Sequence, residues 1–110
     1  MTTATQNQPH VLDSKADLDA LVAEHDRVFV EFHTEGCTIC ASMEPVLGAV
    51  AKSTDVPVVT MNPRDDPVLV EEYDVRSVPK LLLFEDGTVT ETSEDGFVPV
   101  DDVLEMIGEE

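Results

Sequence analysis

The chain has 110 residues, 42% of them hydrophobic, and its 24 acidic and 6 basic residues give a formal net charge of −18 at pH 7. These values are typical of a single domain with an ordinary buried core. They exclude nucleic acid as a partner, because phosphate would be repelled, and no apolar run has the length of a membrane span. The acidic residues are dispersed as a solvated surface, which favours a halophilic protein over a merely acidic one, since salt screens such self-repulsion.

The N-terminal part predicts an arm followed by one domain. Residues 1–10 are rich in Thr, Gln and Asn and lack apolar periodicity, so we expect a flexible arm at 1–10 and a domain at 11–110. Capping by Asp13 or Ser14 and an apolar stripe at Leu18, Leu21 and Val22 predict the first helix.

The middle of the chain predicts a βαβ unit. The nearly continuous apolar run at 28–32 is typical of a strand covered on both faces. A helical pattern then runs from Cys37 to about Ala51, with Pro45 in its interior, where we expect a kink. A β-branched run at 56–61 follows, which predicts a second strand parallel to the first.

The C-terminal half predicts a short helix at 68–73 and then a β-hairpin whose strands flank Asp86-Gly87. A last helix has an apolar stripe formed by Val100, Val103, Leu104 and Ile107. After the first helix, the order β-α-β-α-β-β-α predicts an α/β fold with one mixed sheet and helices on both faces.

Both cysteines lie on the first turn of the second predicted helix. Cys37 and Cys40 are three residues apart, so they face the same way and can form and open a disulfide. Cys37 falls at the helix N-terminus, where unpaired N–H groups and the helix dipole stabilise a thiolate, so we expect it to be the nucleophile. Cys40 lies among apolar residues and is the expected resolving thiol. A redox pair in a chain without a targeting pattern points to a reducing, cytoplasmic compartment.

Glu31 interrupts the first predicted strand. Burial of its carboxyl would raise the pKa, which makes Glu31 a candidate proton acceptor for the resolving thiol. The alternative is a glutamate at the wet rim of the strand. His33 shares the strand face of Glu31, and an ordinary hydrogen-bonded histidine is the simpler expectation for it.

Two other roles for the cysteines remain open. They could form half of a zinc site with His33, although structural zinc normally needs four protein ligands and the chain has no second cysteine pair. They could also be inert, small apolar residues. We expect neither a metal nor a bound cofactor.

With these residues in view, the chain resembles the thioredoxin family over nearly its whole length. Residues 32–40 are similar to the family's active-site segment, and Pro45 matches its helix proline. Residues 75–79, followed by 81–87, match the stretch around the family's cis-proline. Three such features in the same order are much more specific than two spaced cysteines.

The resemblance implies a thioredoxin fold and a protein-disulfide reductase that acts as a monomer. Its expected partners are disulfide-containing substrate proteins and an electron donor that resembles thioredoxin reductase. The resemblance also implies a cis Val78-Pro79 bond beside Cys37 and a substrate surface formed by Gly36, Thr38, Ile39, Val78, Pro79 and Gly96. A non-enzymatic binding module or redox sensor with the same fold is the alternative function.

The sequence departs from the family pattern around the predicted site. Gly36 and His33 stand where the family has tryptophans, and Glu31 stands where it has a buried aspartate. Thr60 replaces the lysine that pairs with this aspartate, and Lys80 replaces the threonine after the cis-proline. These differences bear on the reduction potential and on the choice of partners.

Overall fold

The computed structural model describes residues 8–108 as a five-stranded sheet with helices packed on both faces. The strands are β1 (His10–Leu12), β2 (Arg27–Phe32), β3 (Val58–Met61), β4 (Lys80–Glu85) and β5 (Thr88–Ser93). The helices are α1 (Lys15–Glu24), α2 (Thr38–Ser53), α3 (Val68–Glu72) and α4 (Val100–Ile107), with a short 3-10 turn at Pro63–Asp65. The predicted α/β fold is confirmed.

The sheet has the strand order β1-β3-β2-β4-β5, so β2 is central. As predicted, β2 and β3 are parallel, and β4 and β5 form an antiparallel hairpin. The hairpin turn has φ values of 53° at Asp86 and 84° at Gly87, and two consecutive positive values suit the twist of a tight hairpin. The cysteine segment therefore follows directly after the central strand.

Strand β1 was not predicted. It begins at His10, the last residue of the expected arm, and pairs in parallel with β3, with Val11 opposite Thr60. Three residues are too few to show an alternating pattern, so this strand depends on pairing with β3 more than on a local signal. Of the other residues in the predicted arm, 1–7 lie outside the described residues.

Alternation along β2 divides the core into two layers. Phe29 packs with the buried faces of α2 and α4, whereas Val28, Val30 and Phe32 pack with residues of α1 and α3. Glu31 is on the same face as Phe29, and it therefore lies under α2. This register brings a carboxyl group beneath the helix that carries both cysteines.

Helix α2 is continuous over 16 residues, with Pro45 inside it as predicted. Proline lacks an N–H group, so the helix has one backbone hydrogen bond fewer there. Six residues of α2 are buried in the core, namely Cys40, Met43, Val46, Leu47, Val50 and Ala51. Among residues 8–108, no helix has the length and apolar character needed to cross a membrane.

Candidate active site

The two cysteines form a disulfide at the start of α2, as the spacing predicts. Their Cα atoms are 5.2 Å apart. Cys37 is the N-cap of the helix, and its Sγ accepts a hydrogen bond from the backbone N–H of Cys40 at 3.1 Å. Cys37 is half-buried, whereas Cys40 is only 5% exposed. The expected division between an accessible sulfur and a buried one is therefore present.

One side of Cys37 faces the loop before β4. The Val78-Pro79 peptide bond is cis, as the resemblance implies, and the Val78 carbonyl oxygen lies 4.0 Å from the Cys37 Sγ. Pro79 is buried and Val78 is half-buried. The structure thus brings these two predicted substrate residues next to the accessible sulfur.

The remaining predicted substrate residues also lie near the start of α2. Gly36 has φ 81° in the turn before Cys37, and Thr38 is exposed in the first turn of the helix. Gly96 has φ 88°, and a Cβ at this position would be 4.0 Å from Ile39 Cδ1. Ile39 and the neighbouring Phe97 are 46% and 51% exposed, so they present apolar surface beside Gly96. Phe97 was not among the residues predicted from the sequence.

A cleft of about 510 Å³ opens on the other side of the cysteines, between α2 and the β1–β3 edge of the sheet. Cys37 and Cys40 both line it. The other lining residues are Pro9, Val11, Glu31, His33, Thr34, Glu35, Gly36, Ala41, Glu44, Leu47 and Thr60. Glu31 and His33, which were predicted to share one strand face, both line this cleft.

Glu31 lies at the inner end of this cleft. It is 2% exposed, and its Oε2 has no hydrogen-bond partner within residues 8–108. Its neighbours across the sheet are Thr60 and Leu81, neither of which carries charge. Burial, with a smaller contribution from the negative charge of Glu44, raises the pKa of Glu31 from 4.5 to about 7. The predicted burial is confirmed, and the wet-rim alternative is wrong.

Lys80, noted in the sequence only as a departure from the family pattern, is buried next to Pro79. Its Nζ donates to the Asp74 carbonyl oxygen at 2.9 Å and pairs with Glu94 Oε2 at 2.8 Å. One side chain therefore links the loop after α3, the start of β4 and the segment before Gly96. The only sequence signal for this role is a lysine that opens an apolar run.

No metal-ligand cluster occurs in the part of the chain that the structure describes. Within 8–108, no group of three or more His, Cys, Asp or Glu side chains is placed to hold an ion. His33 instead follows β2, and its backbone N–H donates to the Met61 carbonyl oxygen at 2.9 Å. This bond extends the pairing with β3 by one residue toward the cysteine turn.

Comparison with known proteins gives the same picture. The family model described as Thioredoxin matches residues 9–109. The chain is 28% identical over 97 residues to thioredoxin of Mycoplasmoides gallisepticum. The matched segment covers 87% of this chain and 96% of that protein. It is 34% identical over 67 residues to thioredoxin of Porphyra purpurea, covering 59% of this chain and 63% of that protein.

A solved structure is also similar. A single-site mutant of thioredoxin from Halobacterium salinarum superposes with a TM-score of 0.88 at 30% identity, covering 96% of this chain and 93% of that one. The similarity in fold therefore extends over nearly the whole chain.

Proposed function

This chain belongs to the thioredoxin family, and from that membership we propose how its own residues carry out disulfide exchange. It is a thiol–disulfide oxidoreductase with Cys37 and Cys40 as its redox centre. Members of the family act on disulfide substrates and are themselves reduced by a reductase. The roles of individual residues follow from the site geometry.

In the reduced protein, the Cys37 thiolate attacks one sulfur of a substrate disulfide. A mixed disulfide forms, and the other substrate sulfur leaves as a thiolate that takes up a proton. Cys40 then loses its proton and attacks Cys37 Sγ, which releases the reduced substrate and leaves the Cys37–Cys40 disulfide. Two electrons have passed from the protein to the substrate. The observation that carries this assignment is the Cys40 N–H, which points at Cys37 Sγ from the first turn of α2.

Glu31 accepts the Cys40 proton in this proposal. It is buried under α2, lines the same cleft as Cys40 and has no competing hydrogen bond at Oε2 among the described residues. A general base works best when its pKa is near the working pH, and the Glu31 pKa of about 7 meets this condition. The cleft gives the proton a path to solvent.

Substrate binds, in this proposal, across the surface on the other side of Cys37. Extended peptides add to exposed backbone, and the Val78 carbonyl lies beside the reactive sulfur. Pro79 follows Val78 in the loop beside Cys37, and Gly96 lies close to Ile39. Gly36, Thr38 and Ile39 adjoin Cys37 along the chain at the start of α2. A protein segment laid there would place its disulfide against Cys37.

The biological setting is proposed on composition and comparison. The −18 net charge and the similarity to a halobacterial thioredoxin support a halophilic source. A dithiol that must return to its reduced form supports a cytoplasmic location and a donor resembling thioredoxin reductase. We further propose that the protein acts as a monomer on disulfide-containing proteins.

Reduction of insulin disulfides by catalytic amounts of protein, with a small dithiol as electron source, tests the proposed activity. The wild type should turn over, Cys37→Ser should form no mixed disulfide, and Cys40→Ser should accumulate one. A binding module or redox sensor would instead be no faster than the small dithiol alone, and that result would refute the reductase assignment.

A further inference from the structure

The cleft of about 510 Å³ contains more carboxyl groups than the proposed proton transfer requires, since that step needs only Glu31. Three carboxylates line it, those of Glu31, Glu35 and Glu44, and no Lys or Arg of the described residues does. Glu44 is exposed on α2 and Glu35 is exposed in the turn before the helix, so the carboxylates are spread from the mouth of the cleft to its inner end. Such an arrangement favours a positively charged occupant.

The inner carboxylate lacks a partner. Glu31 is almost completely buried, yet its Oε2 accepts no hydrogen bond from residues 8–108. Thr60, its neighbour on β3, supplies no counter-charge. Buried polar atoms are nearly always paired, so a donor brought in by an occupant would satisfy this oxygen.

The size and lining of the cleft suit a small organic molecule. No three potential ligands within 8–108 converge on one point, so a bare metal ion does not fit the arrangement. The volume of about 510 Å³ is in the range of small-molecule sites. Pro9, Val11 and Leu47 supply apolar wall that suits methylene groups.

Cys37 and Cys40 both line this cleft, which places redox chemistry at the same site. We propose that the cleft binds low-molecular-weight disulfides that carry primary ammonium groups, with the ammonium against Glu31 and Glu44 and the disulfide against Cys37. This inference rests on the proposed dithiol function and adds a second substrate class to it.

The step is a two-electron exchange. Cys37 thiolate bonds to one sulfur of the small disulfide, and the other half leaves as an aminothiolate that takes a proton from solvent. Once the first aminothiol has left the cleft, Cys40 gives its proton to Glu31. The Cys40 thiolate then bonds to Cys37 Sγ and expels the second half as an aminothiolate, which takes a proton from solvent. The small disulfide is reduced to two thiols, and the protein is oxidised to its Cys37–Cys40 disulfide.

The test compares cystamine with bis-hydroxyethyl disulfide, a neutral molecule of the same length. Single-turnover oxidation of the reduced protein by each disulfide is followed at about pH 8, above the Glu31 pKa of about 7. Each rate is divided by the rate at which the same disulfide oxidises dithiothreitol, which corrects for the intrinsic reactivity of the disulfide. We expect a normalised preference for cystamine of about tenfold, in line with one charge-assisted hydrogen bond. The preference should persist at ~1 M KCl, where the Debye length is only ~3 Å and diffuse attraction is lost.

Two variants with equal charge change locate the effect. Glu44→Gln removes a cleft carboxylate and should lower the preference by about threefold or more, whereas Glu24→Gln, exposed at the end of α1, should leave it unchanged. Because the readout is a ratio of two disulfides, changes in thiol reactivity cancel. Hexamethylenediamine, which has the length of cystamine but no disulfide, should compete, and hexamethylene glycol should not.

Several results would overturn the inference. One is a normalised cystamine preference near one. Another is a preference that is lost at high salt to the same extent in every variant, and a third is a lack of competition by hexamethylenediamine. Each of these results would mean that the cleft does not bind ammonium-bearing molecules. Insulin reduction by the same samples separates the two hypotheses. If insulin is reduced but cystamine is not preferred, only the cleft assignment fails, and if neither disulfide nor insulin is reduced, the proposed function fails as well.

Discussion

At the scale of single residues, the most unusual group is the Glu31 carboxyl. In the unfolded chain its pKa would be near 4.5, whereas in the folded protein the pKa is about 7. Between these values the folded state holds one more proton, so the free energy of unfolding falls as pH rises through this window. The penalty is absent below the window and complete above it. If Glu31 acts as the proposed base near neutral pH, its ionisation there lowers the stability of the fold.

Removing the charge should recover that stability. Glu31→Gln should raise the free energy of unfolding by up to about 3 kcal/mol at about pH 8 and change it little at about pH 4, because a protonated carboxyl and an amide are similar in size. Urea unfolding in high salt measures both values, with Glu24→Gln as the exposed control. An equal change at the two pH values would show that ionisation of Glu31 carries no cost.

The two sulfurs should also differ in reactivity. Cys37 is half-buried at the N-cap and receives the Cys40 N–H, whereas Cys40 is 5% exposed. With limiting iodoacetamide on the reduced protein at neutral pH, peptide mapping should find Cys37 alkylated well before Cys40. In denaturant the two should label alike. Equal labelling of the folded protein, or Cys40 first, would reverse the assigned roles.

At the scale of secondary-structure elements, Lys80 holds together the loops beside Cys37. It joins the Asp74 carbonyl after α3 to Glu94 after β5, and it lies next to the cis-proline. A buried ammonium is costly without partners, so both contacts are needed to keep it there. Its effect on substrate would be indirect, through the positions of Val78 and Gly96.

Lys80→Met keeps most of the alkyl chain and removes the ammonium. The free energy of unfolding should fall by about 1–3 kcal/mol, because the Asp74 carbonyl loses its donor and Glu94 loses its partner. In insulin reduction, KM should rise more than kcat changes, since the loops move while the cysteines do not. Lys52→Met, at an exposed lysine of α2, is the matched control. Equal effects of the two substitutions would exclude a positioning role for Lys80.

Secondary-structure elements show which features of the fold could be predicted from the sequence and which could not. The hairpin at Asp86-Gly87 and the N-cap at Cys37 were predictable because each depends on local backbone chemistry. Strand β1 was not, because its three residues are ordered by β3. The burial of Lys80 and the cleft beside Glu31 also escaped prediction, since both arise from residues far apart in the chain. Of the site, the sequence thus predicts the reacting groups better than the space around them.

At the scale of the whole molecule, we expect the net charge to affect the reactivity of the active site. The −18 surface places a diffuse negative field on a sulfur that the start of α2 favours as a thiolate. Salt removes the diffuse field as the Debye length falls from ~10 Å at 0.1 M to ~3 Å at 1 M, but it has less effect on the partly buried helix terminus. Higher salt should therefore favour the thiolate.

Alkylation of Cys37 at fixed pH should accordingly accelerate as KCl increases, while circular dichroism stays constant. The spectrum is the necessary control, because repulsion at low salt could loosen the fold and expose the sulfur. A salt-independent rate in a protein that remains folded would mean that the acidic surface serves solubility alone.

The proposed mechanism depends most on one step, in which Glu31 takes the proton of Cys40 as the mixed disulfide is resolved. A mixed disulfide between Cys37 and thionitrobenzoate, prepared at acid pH and transferred to a series of higher pH values, reports resolution by the absorbance of the released thiolate. In the wild type the rate of resolution should rise as Glu31 ionises near pH 7. In Glu31→Gln the rate of resolution should be about a hundredfold lower and should not rise near pH 7. The rate at which the mixed disulfide forms should be the same in both proteins. Equal rates and the same pH profile in both proteins would contradict this role of Glu31.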